Sequence, residues 1–189
     1  MLATVKSYGL AGLAGFPVMV EVDCSPGLPH WEAVGLPDAA VKESRERVRA
    51  ALKNSGFTYP QGRIVVNLAP ADLRKEGPIY DLAIAVGTLA ASGQTELREF
   101  SGATFIGELS LDGQIRPVNG ILPMAIDARQ RGIRTMVVPR ENAVEAAYVE
   151  GLRVLGVGTL TELTEILEGT VSAEFARPAK FGKIGRAHV

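Results

Sequence analysis

Phe105-Ile106-Gly107-Glu108-Leu109-Ser110-Leu111-Asp112-Gly113-Gln114-Ile115-Arg116-Pro117-Val118-Asn119-Gly120 carries the clearest structural signal in the chain. Two strand-like runs, 105–111 and 114–118, flank Asp112-Gly113, a dipeptide that favours a two-residue type I′ hairpin. Downstream, a helix is predicted from Gly120 to about Arg131 and stops at Gly132. A strand at 135–138, a helix near 142–149, a strand at 152–157 and a helix at 160–168 complete this half. Upstream, 80–91 reads as a very apolar helix, preceded by a polar loop at 69–78 and a buried strand at 63–68. A single helix is predicted over 39–55, with Asp38 as its N-cap and Gly56 as its stop. Val41, Ser44, Val48, Ala51, Leu52 and Ser55 share one face of it at helical spacing. Strands at 2–9, 16–24 and 31–36 open the chain, and 25–30 is a loop. In the second strand Val18, Val20 and Val22 alternate with Met19, Glu21 and Asp23, the period of a half-buried strand. Antiparallel-looking strands first, then alternating strands and helices, predict a mixed α/β (α+β) domain in two layers.

Composition narrows the function. Hydrophobic residues make up 47% and charged residues 22% of 189 positions, ordinary for a globular domain. The formal net charge of −1 supplies no global field for nucleic acid, so any such contact must rest on a local basic surface. Cys24 is the only cysteine, which excludes an internal disulfide and a multi-thiolate metal site and fits a reducing, cytoplasmic setting. No apolar run reaches the roughly 18 residues of a membrane span, and the start lacks the order of a signal peptide. Periodicity fades from about Val171, so 170–183 is expected to be a linker. Ile184-Gly185-Arg186-Ala187-His188-Val189 is a string that one reading frame of a common sequencing adapter encodes; 184–189 is read as a non-native tail.

Three strings carry a resemblance. They are Gly35-Leu36-Pro37-Asp38-Ala39-Ala40-Val41-Lys42-Glu43-Ser44-Arg45-Glu46-Arg47-Val48, then Asn67-Leu68-Ala69-Pro70-Ala71-Asp72-Leu73-Arg74-Lys75-Glu76-Gly77 leading to Tyr80-Asp81-Leu82, and Gly107 to Gly113 with Arg116 to Gly120. Together they resemble the N-terminal domain of the ComM (also called YifB) family of magnesium-chelatase-like AAA+ ATPases, over 1–169. The third string also resembles the proteolytic domain of Lon and the C-terminal domain of RadA. The resemblance implies a ribosomal-protein-S5-domain-2-like fold. It also implies a parent protein that is a hexameric ATP-dependent motor, associated with DNA branch migration in natural transformation. Its own AAA+ module and neighbouring subunits are then the expected partners, with no membrane. ATP and Mg2+ are expected in that module, and no cofactor in this segment.

The Lon-like likeness raises the question of peptide cleavage. A Ser-Lys protease needs a hydroxyl and a partly desolvated amine within hydrogen-bond reach. In the resembled protease the serine follows a Gly-Pro pair; after Gly77-Pro78 this chain has Ile79. The lysine follows a turn that matches Gly120-Ile121, where this chain has Leu122. A Ser-Lys peptidase using this cleft is therefore disfavoured, and the segment is expected not to be an enzyme. A porphyrin-directed chelatase subunit is a further reading, but these residues offer no tetrapyrrole or metal site. His30 is the only histidine outside the tail. The chain also lacks the Gly-x-x-x-x-Gly-Lys-Ser/Thr string that cradles phosphates.

Two surfaces are left as candidates. Lys42, Arg45, Arg49 and Lys53 line one side of the predicted helix 39–55. Such a stripe either contacts DNA phosphates independently of sequence or is a solvated face balanced by Glu43 and Glu46, and the residues alone favour the solvated face. Asp72, Arg74, Lys75 and Glu76 border the cleft beside Gly77-Pro78. That loop is either a binding surface or a solvated turn.

Overall fold

The structure, a computed structural model, describes residues 1–179. In chain order the elements are β1 (Leu2–Ala11), β2 (Ala14–Ser25), β3 (His30–Val34), α1 (Ala39–Lys42), α2 (Ser44–Asn54), β4 (Arg63–Ala69) and α3 (Asp81–Ala91). They continue with β5 (Thr104–Phe105), β6 (Glu108–Leu109), β7 (Ile115–Arg116), α4 (Ile121–Gln130), β8 (Thr135–Pro139), α5 (Arg140–Ala146), β9 (Arg153–Val157) and α6 (Leu160–Glu168). One mixed sheet of seven strands runs β3-β4-β2-β1-β5-β8-β9. The pairs β1–β2 and β2–β4 are antiparallel, whereas β3–β4, β1–β5, β5–β8 and β8–β9 are parallel.

The expected alternation in β2 holds. Val18, Val20 and Val22 are buried with Val5 of β1, and Met19 and Asp23 face out. Each such valine contributes roughly 1.5–3 kcal/mol by leaving water. α3 is buried nearly all round because it lies between this face of the sheet and α2.

The two-layer expectation describes only half of the sheet. Over β1, β2 and β4 the helices α2 and α3 cover one face, while α4 covers part of the other at β1 and β2 and leaves the stretch near Met19 and Ala69 open. At β8 both faces are covered: Val137 joins the α3 side, while Met136 and Val138 join a second cluster with Met124 and Ala125 of α4 and Ala143 of α5. A parallel strand with helical crossovers is buried on both sides, which is why 135–138 reads as an unbroken apolar run.

Three further details depart from expectation. Run 105–111 is not one strand: Phe105 belongs to the large sheet, and only Glu108–Leu109 pairs with Ile115–Arg116. The turn is not type I′, since Asp112 lacks the positive φ that type needs. Instead the Ser110 amide donates to the Gln114 carbonyl and Gly113 (φ 89°) donates back to the Ser110 carbonyl, a three-residue loop closed by a left-handed glycine. Helix 39–55 is broken at Glu43 into α1 and α2, and Arg47 Nη2 donates to the carbonyl of Ala40 at 2.6 Å across the break. Finally, the start of the stretch read as a linker packs on the domain. Phe175 bridges to Leu155, and the Ala176 amide donates to the Val154 carbonyl at 2.7 Å. Residues 180–189, which include the end of the expected linker 170–183 and the whole of the expected tail 184–189, lie outside the described part.

Candidate functional site

The second and third sequence strings line one groove of about 420 Å³, and the first is tied to it through Asp38. Glu76, Gly77, Pro78 and Ile79 form one side, Pro117, Val118 and Asn119 another, with Leu10 and Glu108 completing it. Asp38 ties two strings together. Its Oδ1 accepts from the Val41 amide at 2.8 Å, capping α1 as expected, and its Oδ2 accepts from the Gly77 amide at 3.1 Å. The backbones of Pro37 and Lys75 bridge in parallel, with Lys75 N–H donating to the Leu36 carbonyl and Asp38 N–H to the Lys75 carbonyl, both at 3.0 Å. Gly35 fits here because a Cβ would run into the Leu68 carbonyl oxygen.

Of the four loop residues expected at the cleft, one lines the groove: Glu76. Arg74 pairs with Glu76 at 3.3 Å on the exposed surface, and Asp72 is exposed. Lys75 corrects the expectation that it is a cleft charge. It is fully buried, and its Nζ donates to the carbonyl of Gly35 at 2.8 Å and to that of Pro70. Burial pushes its ammonium below the ordinary lysine range, and the charge of Asp72 opposes this. Lys75 therefore acts as a strut for the loop.

Beneath the groove lies a buried ion pair that sequence reasoning did not single out. Asp81 is fully buried at the start of α3. Its Oδ2 accepts from Arg47 Nε at 2.6 Å and from the Leu109 amide at 3.1 Å; its Oδ1 accepts from Ser44 Oγ at 2.6 Å and from Arg47 Nη2 at 3.1 Å. Burial pushes the Asp81 carboxyl above the ordinary range, against the pull of these donors. Burial also opposes the charge on Arg47, but Asp81 outweighs it and holds the guanidinium above its ordinary range. The signal was present in the sequence: Asp81 is the one acid of an otherwise apolar run, and Ser44 sits on the apolar face of its helix.

Ile79 lines the groove, and Leu122 is half-buried in the first turn of α4, three positions after the groove residue Asn119. Ser110 Oγ is engaged by Asp112 and by the Gln114 backbone, and Ser92 Oγ by the Thr88 carbonyl at 2.8 Å. Among the described residues no group of three or more His, Cys, Asp or Glu side chains is placed to hold a metal ion. No helix among them is long and apolar enough to cross a membrane.

The basic stripe forms on a different corner. Lys42, Arg45, Arg49 and Lys53 are all exposed, while Val41, Val48, Ala51 and Leu52 are buried. Arg45 lies 3.7 Å from Glu46, and the Arg49 guanidinium sits 5.8 Å from the centre of the Tyr59 ring. His30 opens β3 rather than ending a loop, and pairs with Glu32 at 3.6 Å.

A family model described as subunit ChlI of Mg-chelatase matches residues 20–142, more than half of the chain. The chain belongs to this family. It is 44% identical over 168 residues to the competence protein ComM of Haemophilus influenzae, covering 89% of this chain and 33% of that protein. It is 41% identical over 177 residues to the uncharacterised protein YifB of Escherichia coli, covering 94% of this chain and 35% of that one. A more distant similarity, 28% over 149 residues, links it to Lon protease 2 of Bacillus subtilis, covering 75% of this chain and 26% of the protease. The chain thus spans about a third of the length of the ChlI-family relatives named here. In this family member the three strings supply struts beside the groove: Asp38, Lys75 and Asp81 are all engaged in holding backbone or the half-buried Arg47.

Proposed function

We propose that this chain is a non-catalytic, Lon-like accessory domain of a larger magnesium-chelatase-like AAA+ ATPase. The observation that carries the reading is the chemistry of the groove. Its wall at the position following Gly77-Pro78 is the aliphatic Ile79, and the nearest lysine in sequence, Lys75, is buried with its amine bound to two carbonyls. A Ser-Lys mechanism needs a free hydroxyl and an amine that meet over the substrate. Neither Ile79 nor Leu122 offers one. Four charged residues of these strings, Asp38, Arg47, Lys75 and Asp81, are engaged in holding the fold, which suits a domain that positions a neighbouring module.

The parent protein is proposed to be an ATP-dependent motor acting on DNA during natural transformation or recombination. The Haemophilus influenzae relative is a competence protein, which supports this role. ATP and Mg2+ would then be used by the AAA+ module, and a ring of identical subunits would be the working assembly. Two measurements test the reading. Source DNA sequenced past the codon for residue 183 is expected to encode a Gly-x-x-x-x-Gly-Lys-Ser/Thr string after a strand. The purified chain is expected to resist labelling by a serine-reactive fluorophosphonate. Labelling, together with peptide cleavage lost on changing the labelled serine, would replace the proposal with a hydrolase.

A further inference from the structure

We propose that the corner between α2 and β3 is a seat for single-stranded nucleic acid, with Trp31 as its stacking platform. Trp31 is half-buried, packed on one side against the main core, and its open side borders two adjoining hollows. Arg45, Arg49 and Lys53 border one of them together with Tyr59, and Lys42 and Arg45 border the other. All four cations of the stripe thus lie beside one aromatic ridge. Only Arg45 among the four makes an ion pair among the described residues, a half-exposed one with Glu46. Glu32 shares the second hollow, its carboxylate 3.6 Å from the His30 ring.

The spacing suits a strand that runs along the helix. Arg45, Arg49 and Lys53 recur every four residues, or about 6 Å of helix axis. Cations in a row track a phosphate backbone, and an aromatic side chain beside them offers a face on which an unpaired base stacks. A duplex keeps its base faces covered, so the ridge selects single strands. The inference rests on the proposed DNA-handling role and deepens it by naming the form of nucleic acid and the surface. The groove at Ile79 plays no part in it.

Trp31 is the only tryptophan in the chain, so its fluorescence reports on the seat alone. The purified chain is titrated at low salt with labelled oligothymidylate and with a duplex of equal length, reading tryptophan quenching and label anisotropy together. Oligothymidylate is expected to quench Trp31 and to bind at least tenfold more tightly than the duplex. Four phosphate contacts predict a slope of log affinity on log salt of about −3. Arg45→Glu with Arg49→Glu, folded by circular dichroism, is expected to abolish both signals. Trp31→Phe should retain binding by anisotropy, and Trp31→Ala should weaken it about tenfold. Equal duplex binding overturns the single-strand assignment. Anisotropy that rises without quenching, and survives the double charge reversal, places nucleic acid elsewhere: the seat falls and the DNA role stands. No binding of either oligonucleotide overturns the seat as well, and the downstream ATPase string then decides the DNA-motor reading separately.

Discussion

Arg47 Nε meets Asp81 Oδ2 at 2.6 Å, and this contact fastens α2 to the start of α3 directly beneath the groove. Asp81 is wholly buried, and its other bonds reach Ser44 of α2 and the Leu109 amide of β6. One carboxylate therefore joins three elements that are far apart in sequence. Breaking a buried pair by removing one partner leaves the other charge without compensation, at about 3–5 kcal/mol. Asp81→Ala is expected to lower stability by that amount in urea titration. Arg47→Met combined with Asp81→Leu should cost less than the sum of the two single changes, because no orphaned charge remains. Additive losses would show that the pair is not coupled.

Lys75 gives a second, smaller effect. Its amine holds the carbonyls of Gly35 and Pro70, so it pins the loop that carries Gly77 and Ile79. Lys75→Met keeps the packing stem and removes both bonds. Leaving these half-buried carbonyls unmet costs at most about 1–3 kcal/mol, partly offset because a desolvated ammonium is also removed. The expected result is a modest loss of overall stability with faster hydrogen exchange at the Gly77 amide, which Asp38 otherwise protects. Unchanged exchange there would mean that the loop is held by its backbone bridge alone.

The legible and illegible parts of this chain divide by interaction range. Caps and stops were readable because they are local: Asp38 bonds a residue three positions on, and Gly56 and Gly132 adopt positive φ where their helices end. The break at Glu43 was not readable from helix 39–55, because its cause is Arg47 turning back to Ala40 while also reaching Asp81, a partner 34 positions away. The same holds for Lys75, whose sequence neighbours Arg74 and Glu76 are exposed charges and gave it the look of a third. Its buried amine is held by the carbonyl of Pro70 in the same loop and by that of Gly35, forty positions upstream, a partner that local sequence does not reveal. The second helical layer at β8 was legible in principle, since 135–138 shows no polar alternation.

Alkaline pH should weaken the fold. Burial raises the phenol of Tyr59 to about 12. Burial, then the bond that Tyr8 donates to Asp127 at 2.7 Å, raises Tyr8 further, and burial beside the charges of Asp38 and Glu76 does the same for Tyr80. An unfolded tyrosine ionises near about pH 10. Above that value the unfolded chain releases phenolic protons that the folded chain keeps, so the unfolded state binds fewer protons and stability falls as pH rises. Below it the contribution is fully present. Lys75 acts in the opposite sense, since its lowered folded value makes stability rise with pH until the ordinary lysine range is reached. Three tyrosines outweigh one lysine. Denaturant titrations at about pH 8 and about pH 11 should show the loss, with tyrosinate absorbance appearing together with unfolding. Tyr8→Phe is expected to flatten the pH dependence, and an unaltered slope would exclude Tyr8 as a source.

The segment after α6 supplies the last prediction. Phe175 packs partly buried against the main core, and the Arg153 guanidinium lies 4.5 Å from its ring centre. Next to it, the Ala176 amide donates to the Val154 carbonyl on the outer edge of β9. The short backbone bridge on this edge strand, Phe175 with Leu155 and the Ala176 bond, gives little hold against water by itself, so the aromatic ring is expected to be the main anchor of the segment. Phe175→Ala removes both the apolar contact and the cation–π pairing, together about 1–2 kcal/mol. The Ala176 amide should then exchange much faster, while amides of β8, two strands inward from this segment, keep their protection. Phe175→Leu should restore part of the packing without the cation–π term, and so fall between the two. If Ala176 stays protected in Phe175→Ala, the edge of β9 holds the segment through its backbone and the ring is incidental.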